Sequence, residues 1–215
     1  MKINNKEGWK EYILREARYH LPEECKGGLC IDAGTNIGDF PMNFGRRFDK
    51  YICYDVFDEN IEEAIRNTSF QKGLGLDIEI HKRAVWDSSN QFIDAIAYVP
   101  WDTQNTDHFG NSGNVGCVEY DCKQGAGWKK ENSIGLVSTI SLDTIIETYG
   151  EINLLKVDVE GSEYQFLQNK DLSKVHWIAL ELHFEADKQL ALISWINNTH
   201  TIVKEYDSIK IWKRK

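Results

Sequence analysis

Apolar and polar positions alternate between two periods along most of this chain, and the change of period marks out strands and helices in turn. Leu29 to Asp32 reads as a strand, and a helix follows from about Gly38, with Pro41 tolerated in its first turn, where its missing N–H has no partner to lose. Tyr51 to Asp55 is the next strand and Asp58 to Thr68 the next helix. Ile78 to Val85 reads as a third strand with its exit, and Gln91 to Val99 as a further β-like piece. Val137 to Ile140 is extended, Ser141 N-caps a helix that stops at Gly150, and Ile152 to Val159 forms a strand. A helix from Ser162 to Asn169, a strand from Val175 to His183 and a helix from Glu185 to Asn197 complete the alternation. Two closing runs, Thr201 to Glu205 and Ile209 to Lys213, are joined by Tyr206-Asp207-Ser208 and predict a hairpin. Strands and helices alternating at this spacing predict a parallel sheet with right-handed crossovers, and the hairpin sets one antiparallel strand into it.

Two segments depart from the rhythm. Trp9, Tyr12, Ile13, Ala17 and His20 recur at helical spacing and predict an amphipathic helix from about Glu7, within an N-terminal helical cap spanning residues 1–26. Residues 100–136 carry Trp101, His108 and Trp128 among glycines and polar residues with little periodicity. A segment of that length in a compact domain is an insertion or a lid loop, and its aromatics favour a lid over substrate. The 215 residues, 41% of them hydrophobic, suffice for one substantial core, so residues 1–215 are read as a single domain.

The chemistry begins where the first strand ends. Asp32-Ala33-Gly34-Thr35-Asn36-Ile37-Gly38 is a glycine turn between strand and helix, and Asp55 closes the second strand. In an open α/β sheet the ligand lies across the strand C-termini, and a carboxylate at the second strand's tip holds a ribose. A dinucleotide fingerprint, Gly-x-Gly-x-x-Gly, needs its middle glycine so that backbone can approach a pyrophosphate. Asn36 stands in that place, so a ligand with a ribose but no phosphates fits better, and S-adenosylmethionine (SAM) is such a ligand.

A second cluster follows an apolar strand. Lys156 and Asp158 share one face by the two-residue period, and Glu160 and Glu163 follow beside Gly161. A carboxylate ending a buried strand costs desolvation unless it has a partner or a task, and Lys156 is the candidate partner. Glu160 and Glu163 also stand where a helix dipole stabilises negative charge, and Ser162 with Gln165 resembles a capping box. His183 ends the neighbouring strand, one alternation from Glu181.

Taken in order, Asp-x-Gly-x-Asn-x-Gly at Asp32 to Gly38, Ser-Leu-Asp at Ser141 to Asp143, Leu-Lys-x-Asp-x-Glu-Gly-x-Glu at Leu155 to Glu163 and Glu-x-His at Glu181 to His183 resemble the FkbM family of SAM-dependent methyltransferases. The resemblance implies a class I methyltransferase fold, a Rossmann-like three-layer sandwich whose mostly parallel seven-stranded sheet has one antiparallel strand. It implies O-methylation of a hydroxyl on a small molecule or sugar. Two departures stand out: Asp55-Val56 replaces the family's common Glu-Pro, and residues 100–135 match only loosely around Gly110-Asn111-Ser112-Gly113.

The expected cofactor-binding residues are therefore Asp32, Gly34, Asn36, Gly38, Asp55 for the ribose hydroxyls, Arg83 and Ala84 at the adenine, and Asp158. The expected catalytic residues are Asp158, His183, Glu160 and Lys156. His183 or Asp158 is the general base in one route. In another, Asp158, Glu160 and Glu181 hold a divalent metal that lowers the acceptor's pKa, although no ligand spacing is specific enough to predict a metal. The Asn/Asp-Pro-Pro-aromatic tetrapeptide of many base-directed aminomethyltransferases is absent, which disfavours an amine acceptor. A nicotinamide-dependent oxidoreductase and a catalytically silent binding module are the rival classes. The missing middle glycine opposes the first, and the presence of Asp32, Asp55 and Asp158 opposes the second.

Composition narrows the partners. A formal net charge of −9 opposes the basic footprint of a nucleic-acid binder. The start, Met1 to Glu7, has no apolar leader, and no apolar run approaches the ~18 residues that span a bilayer. Five cysteines, odd in number and without Cys-x-x-Cys, read as free thiols of a reducing compartment and not as a zinc site. The expectation is a cytoplasmic enzyme acting on a small-molecule or carbohydrate acceptor, with no nucleic-acid or membrane partner.

Overall fold

Leu29–Ala33 forms β1 and is buried at every position, as a parallel strand covered on both faces must be. The computed structural model describes residues 19–97, 115–117, 133–183, 186–206 and 208–215. The expected helix from Glu7 and most of the expected lid lie outside them. After β1 come α1 (Asp39–Phe44), β2 (Lys50–Asp55), α2 (Asp58–Gly73), β3 (Asp77–Lys82), β4 (Ala84–Trp86), β5 (Phe92–Ala97), β6 (Val115–Cys117) and β7 (Ser133–Ser141). The order continues with α3 (Leu142–Tyr149), β8 (Ile152–Val157), α4 (Glu163–Leu167), β9 (Val175–Glu181), α5 (Ala186–Asn197), β10 (His200–Tyr206) and β11 (Ile209–Arg214).

Seven strands form the main sheet in the order β10-β11-β9-β8-β1-β2-β3. Only β11 is reversed: it pairs antiparallel with both β9 and β10, while the other pairings are parallel. The closing hairpin therefore does what its sequence predicts. Strand order switches direction between β1 and β8, which is where an open α/β sheet leaves a crevice for a ligand.

Both faces of the sheet are covered. On one, Leu142 and Ile145 of α3, Phe166 and Leu167 of α4, and Leu192 and Ile196 of α5 pack on Ile31, Leu155, Ile178 and their neighbours. On the other, Tyr19, Leu21, Phe40 and Phe48 cover Cys30, Tyr51, Leu154 and Ile211. Cys25, Cys30 and Cys53 are buried free thiols. Ser141 caps α3 as its sequence predicts, its Oγ accepting from the Thr144 N–H at 3.3 Å. No helix among the described residues is long and apolar enough to cross a membrane.

Two features add to the expected elements. The strand expected from Ile78 to Val85 divides at Arg83, whose N–H donates to the Asp55 carbonyl at 2.9 Å, so β3 stays in the main sheet and β4 leaves it. β4 joins a second, four-stranded sheet in the order β4-β7-β5-β6. β6 and the first residues of β7 fall inside the segment expected to be a lid, so 100–136 contains strands that pair with β5. Ala84, Trp86, Ile93, Ala95 and Val137 give this sheet its own small core.

One charged pair lies inside the main sheet. Asp32 and Lys156 are register partners across β1 and β8, and Lys156 Nζ stands 3.0 Å from Asp32 Oδ1, with the two residues 0% and 1% exposed. Nζ also donates to the Gly34 carbonyl at 2.7 Å. Lys156→Met strands a buried carboxylate and is expected to cost about 3–5 kcal/mol, whereas adding Asp32→Asn to it should recover a large part of that loss. Urea denaturation of the single and double variants checks this; a single-variant cost below about 1 kcal/mol would refute the pair's structural role.

Candidate functional site

The loop after β1 is tied down from both sides. Gly34 and Thr35 donate N–H bonds to the Tyr54 carbonyl of β2 at 2.9 and 3.0 Å, and the Asp158 N–H donates to the Ala33 carbonyl at 3.0 Å. Gly34 has φ +80°, and a Cβ there would stand 1.7 Å from the Asp158 carbonyl oxygen. Only glycine lets the β1 and β8 exits meet. Gly38, with φ +82°, caps α1, and a Cβ on it would stand 3.2 Å from Ala64 Cα and 3.1 Å from Thr68 Cγ2 of α2. Both glycines thus shape the cradle by turn geometry and close packing.

Asp55 organises the same cradle from β2. Its Oδ2 accepts from the Asn36 N–H at 2.9 Å, while Oδ1 accepts from the N–H groups of Val56 and Phe57 at 2.9 and 3.0 Å and from Asn60 Nδ2 at 3.2 Å. Burial raises the carboxyl's pKa to about 6, because these donors only partly offset lost hydration. Asn36 takes a left-handed backbone, φ +50°, that aims its N–H at Asp55. Its side-chain Oδ1 is buried without a hydrogen-bond partner.

Several of the expected residues also have structural partners. Asp32 and Lys156 are buried beneath the loop, where Lys156 bonds the Gly34 carbonyl and pairs with Asp32, so together they position the Gly34 turn. The Arg83 guanidinium donates to Ser138 Oγ of β7 at 2.9 Å, and Ala84 pairs with Thr139 of the second sheet. Arg83 and Ala84, the residues expected at the adenine, lie at the β4–β7 junction.

The second half of the site lies at the ends of β8 and β9. Glu163, fully buried at the start of α4, accepts from the Val159 N–H at 3.3 Å and the Gly161 N–H at 3.0 Å, and its Oε1 is 2.8 Å from His183 Nδ1. It is more than a helix cap, since it joins the loop after β8 to the end of β9. The other nitrogen of His183, Nε2, faces Asp158 Oδ1 at 3.7 Å, Glu160 Oε2 at 3.9 Å and Glu181 Oε1 at 3.6 Å. Glu160 has φ +51°, another left-handed backbone. Two further groups enter that sequence reasoning missed: the Tyr19 hydroxyl donates to Asp158 Oδ2 at 3.3 Å, and Ser208 Oγ donates to Glu181 Oε1 at 3.0 Å. Both come from segments remote in sequence, and neither sits in a motif.

Charge decides what His183 can do. Burial by itself pulls its pKa down, but the neighbouring carboxylates of Glu163, Glu181 and Glu160 outweigh burial and raise it to about 11. The carboxylates around it therefore favour the protonated form of the imidazole. Asp158, Glu160 and Glu181 are brought together around it, next to the Gly34 turn.

Comparison with known proteins agrees with this architecture. Residues 32–206 match the family model described as the methyltransferase FkbM domain. Among solved structures, methyltransferase FkbM from Methylobacillus flagellatus superposes with a TM-score of 0.52 at 14% identity, over 94% of this chain and 52% of that one. This chain thus spans about half the length of that relative. A protein in the NADB-Rossmann superfamily from Streptococcus agalactiae gives 0.50 at 16% identity, over 95% and 68% of the two chains. A putative tRNA (m1A22) methyltransferase from Streptococcus pneumoniae, in complex with S-adenosyl-L-methionine, gives 0.50 at 12% identity, over 95% and 72%. No curated protein matches. At these identities the structural likeness is one of fold.

The protonation of His183 is open to direct measurement. In protein treated with EDTA, its imidazole resonances are expected to stay in the cationic form through pH 8 and to titrate near 11. Because the folded value is raised above the usual 6.5, the stabilisation is fully present below 6.5 and lost as pH rises through about 11. Glu163→Gln should lower the midpoint by about one unit or more. A neutral imidazole at pH 8 in the unsubstituted protein would refute the assignment.

Proposed function

Because the chain belongs to the FkbM methyltransferase family, we propose that it transfers the methyl group of SAM to a hydroxyl oxygen of a small molecule or sugar. The observation that carries this reading is the adjacency of two assemblies at the β1–β8 switch point. One is a ribose-type carboxylate bonded to a left-handed loop; the other is a group of carboxylates at the end of the next strand. The SAM-bound pneumococcal neighbour has the same fold, which supports the cofactor.

The residues present fit SAM. Asp55 Oδ2 keeps acceptor capacity beyond its bond from Asn36, as a ribose hydroxyl requires, and Asn36 Oδ1 is a buried polar atom in want of a donor. When bound, SAM supplies a methyl group on a sulfonium, which an acceptor oxygen displaces in line. The Gly34 to Gly38 turn and Asp55 hold the adenosine side, so that much of the rate comes from positioning. Asp158, at the end of β8 beside the Gly34 turn, takes the hydroxyl proton as the oxygen–carbon bond forms. Glu163 and Tyr19 hold the two sides of that group, the first through His183 and the loop after β8, the second through Asp158 Oδ2.

Calorimetric titration with SAM, its demethylated product and NAD tests the reading. Micromolar binding of the first two is expected, weakened about tenfold or more, ~1.4 kcal/mol, in Asp55→Ala. Affinity should also fall as pH drops through about 6, since a protonated Asp55 accepts fewer bonds from the ribose hydroxyls. Binding of NAD alone would refute the proposal.

A further inference from the structure

We propose that Asp158, Glu160 and His183 bind one divalent metal ion, with Glu181 as a further oxygen ligand. The three residues offer ligand atoms that all lie within 4.8 Å of one another. Their separations are informative. His183 Nε2 stands 3.6 to 3.9 Å from one oxygen each of Glu181, Asp158 and Glu160. Two ligands on one ion with bonds of ~2.0–2.3 Å stand roughly 3 to 4.5 Å apart, depending on the angle between them. The ring of atoms thus has the span of a coordination sphere.

A second observation concerns a residue outside that ring. Nδ1 of His183 is committed to Glu163, and Glu163 is fully buried and fixed by the N–H groups of Val159 and Gly161. The imidazole is therefore locked in the tautomer and orientation that present Nε2 to the three carboxylates. A metal-binding histidine commonly has a carboxylate on its other nitrogen, which sets the ring and raises its basicity. Metal binding displaces the Nε2 proton to solvent and leaves the Nδ1 proton with Glu163.

One imidazole nitrogen and two or three carboxylate oxygens make a mixed donor set without thiolate. Mn²⁺ accepts both donor types, and Mg²⁺ is the harder alternative. This inference rests on the methyl-transfer reading only for the ion's task. At the ends of β8 and β9 the ion would stand where the acceptor meets the Gly34 turn and lower its hydroxyl pKa.

The test titrates Mn²⁺ into the full EDTA-stripped chain without SAM, following free Mn²⁺ by electron paramagnetic resonance. One saturable site per chain is expected, weakened tenfold or more in Glu160→Gln and in His183→Gln, about tenfold in Glu163→Gln, and unchanged in Asp55→Ala. Glu160 is the safest ligand to change because its side chain is partly exposed, and circular dichroism on each variant verifies folding. Absence of a saturable site, or equal affinity in folded Glu160→Gln, overturns the proposal. SAM binding to the same stripped protein, read by calorimetry, keeps the two readings apart. SAM binding without Mn²⁺ binding removes the metal site alone, and Mn²⁺ binding without SAM binding removes the methyl-transfer reading while the site stands.

Discussion

Gly34 and the Asp158 carbonyl approach so closely that one added methyl group would stand 1.7 Å from that oxygen. The rest of the site depends on this contact. It sets the exit of β1 directly against the exit of β8, and it brings the cradle of Asn36 and Asp55 within one strand of Asp158, Glu160 and His183. The buried Lys156 secures it from below by neutralising Asp32 and bonding the Gly34 carbonyl at once. A charged pair inside an α/β sheet contributes little net stability, but here it fixes the height and tilt of a turn.

Electrostatics organises the other half in the same way. Four carboxylates, from Asp158, Glu160, Glu163 and Glu181, converge on one imidazole, and such a gathering requires a positive charge at its centre. A proton on His183 meets that need in the metal-free protein, and a divalent ion would meet it more strongly. Glu163 is the member that gives the arrangement a direction. By taking Nδ1 and two loop N–H groups, it leaves Nε2 as the nitrogen that faces the remaining three carboxylates.

The second sheet shows how the cradle joins the rest of the fold. Arg83 ends β3 by giving its N–H to the Asp55 carbonyl, and its guanidinium reaches Ser138 of β7. One residue thus connects the ribose-side carboxylate to a sheet formed partly within the segment that reads as a lid. That sheet escaped sequence reading because β4 and β6 are short and pair with strands distant in sequence, so local periodicity carries little of their signal.

By itself the sequence determined the alternating elements, the single reversed strand and the positions of the two chemical motifs. Buried parallel strands and glycine turns leave local signatures of apolar runs and fixed spacing, and these survive without any knowledge of packing. What each charged side chain does was decided only by the tertiary structure. Asp32 and Asp55 look alike as strand-end acids, yet one is buried against Lys156 while the other accepts from four donors, one of them the Asn36 N–H of the loop. His183 stands among four carboxylates, a setting that its place at the end of a strand does not foretell. Protonation and accessibility depend on groups that meet across the sheet from distant parts of the chain, such as Tyr19 beside Asp158 and Ser208 beside Glu181, and spacing along the chain does not encode them.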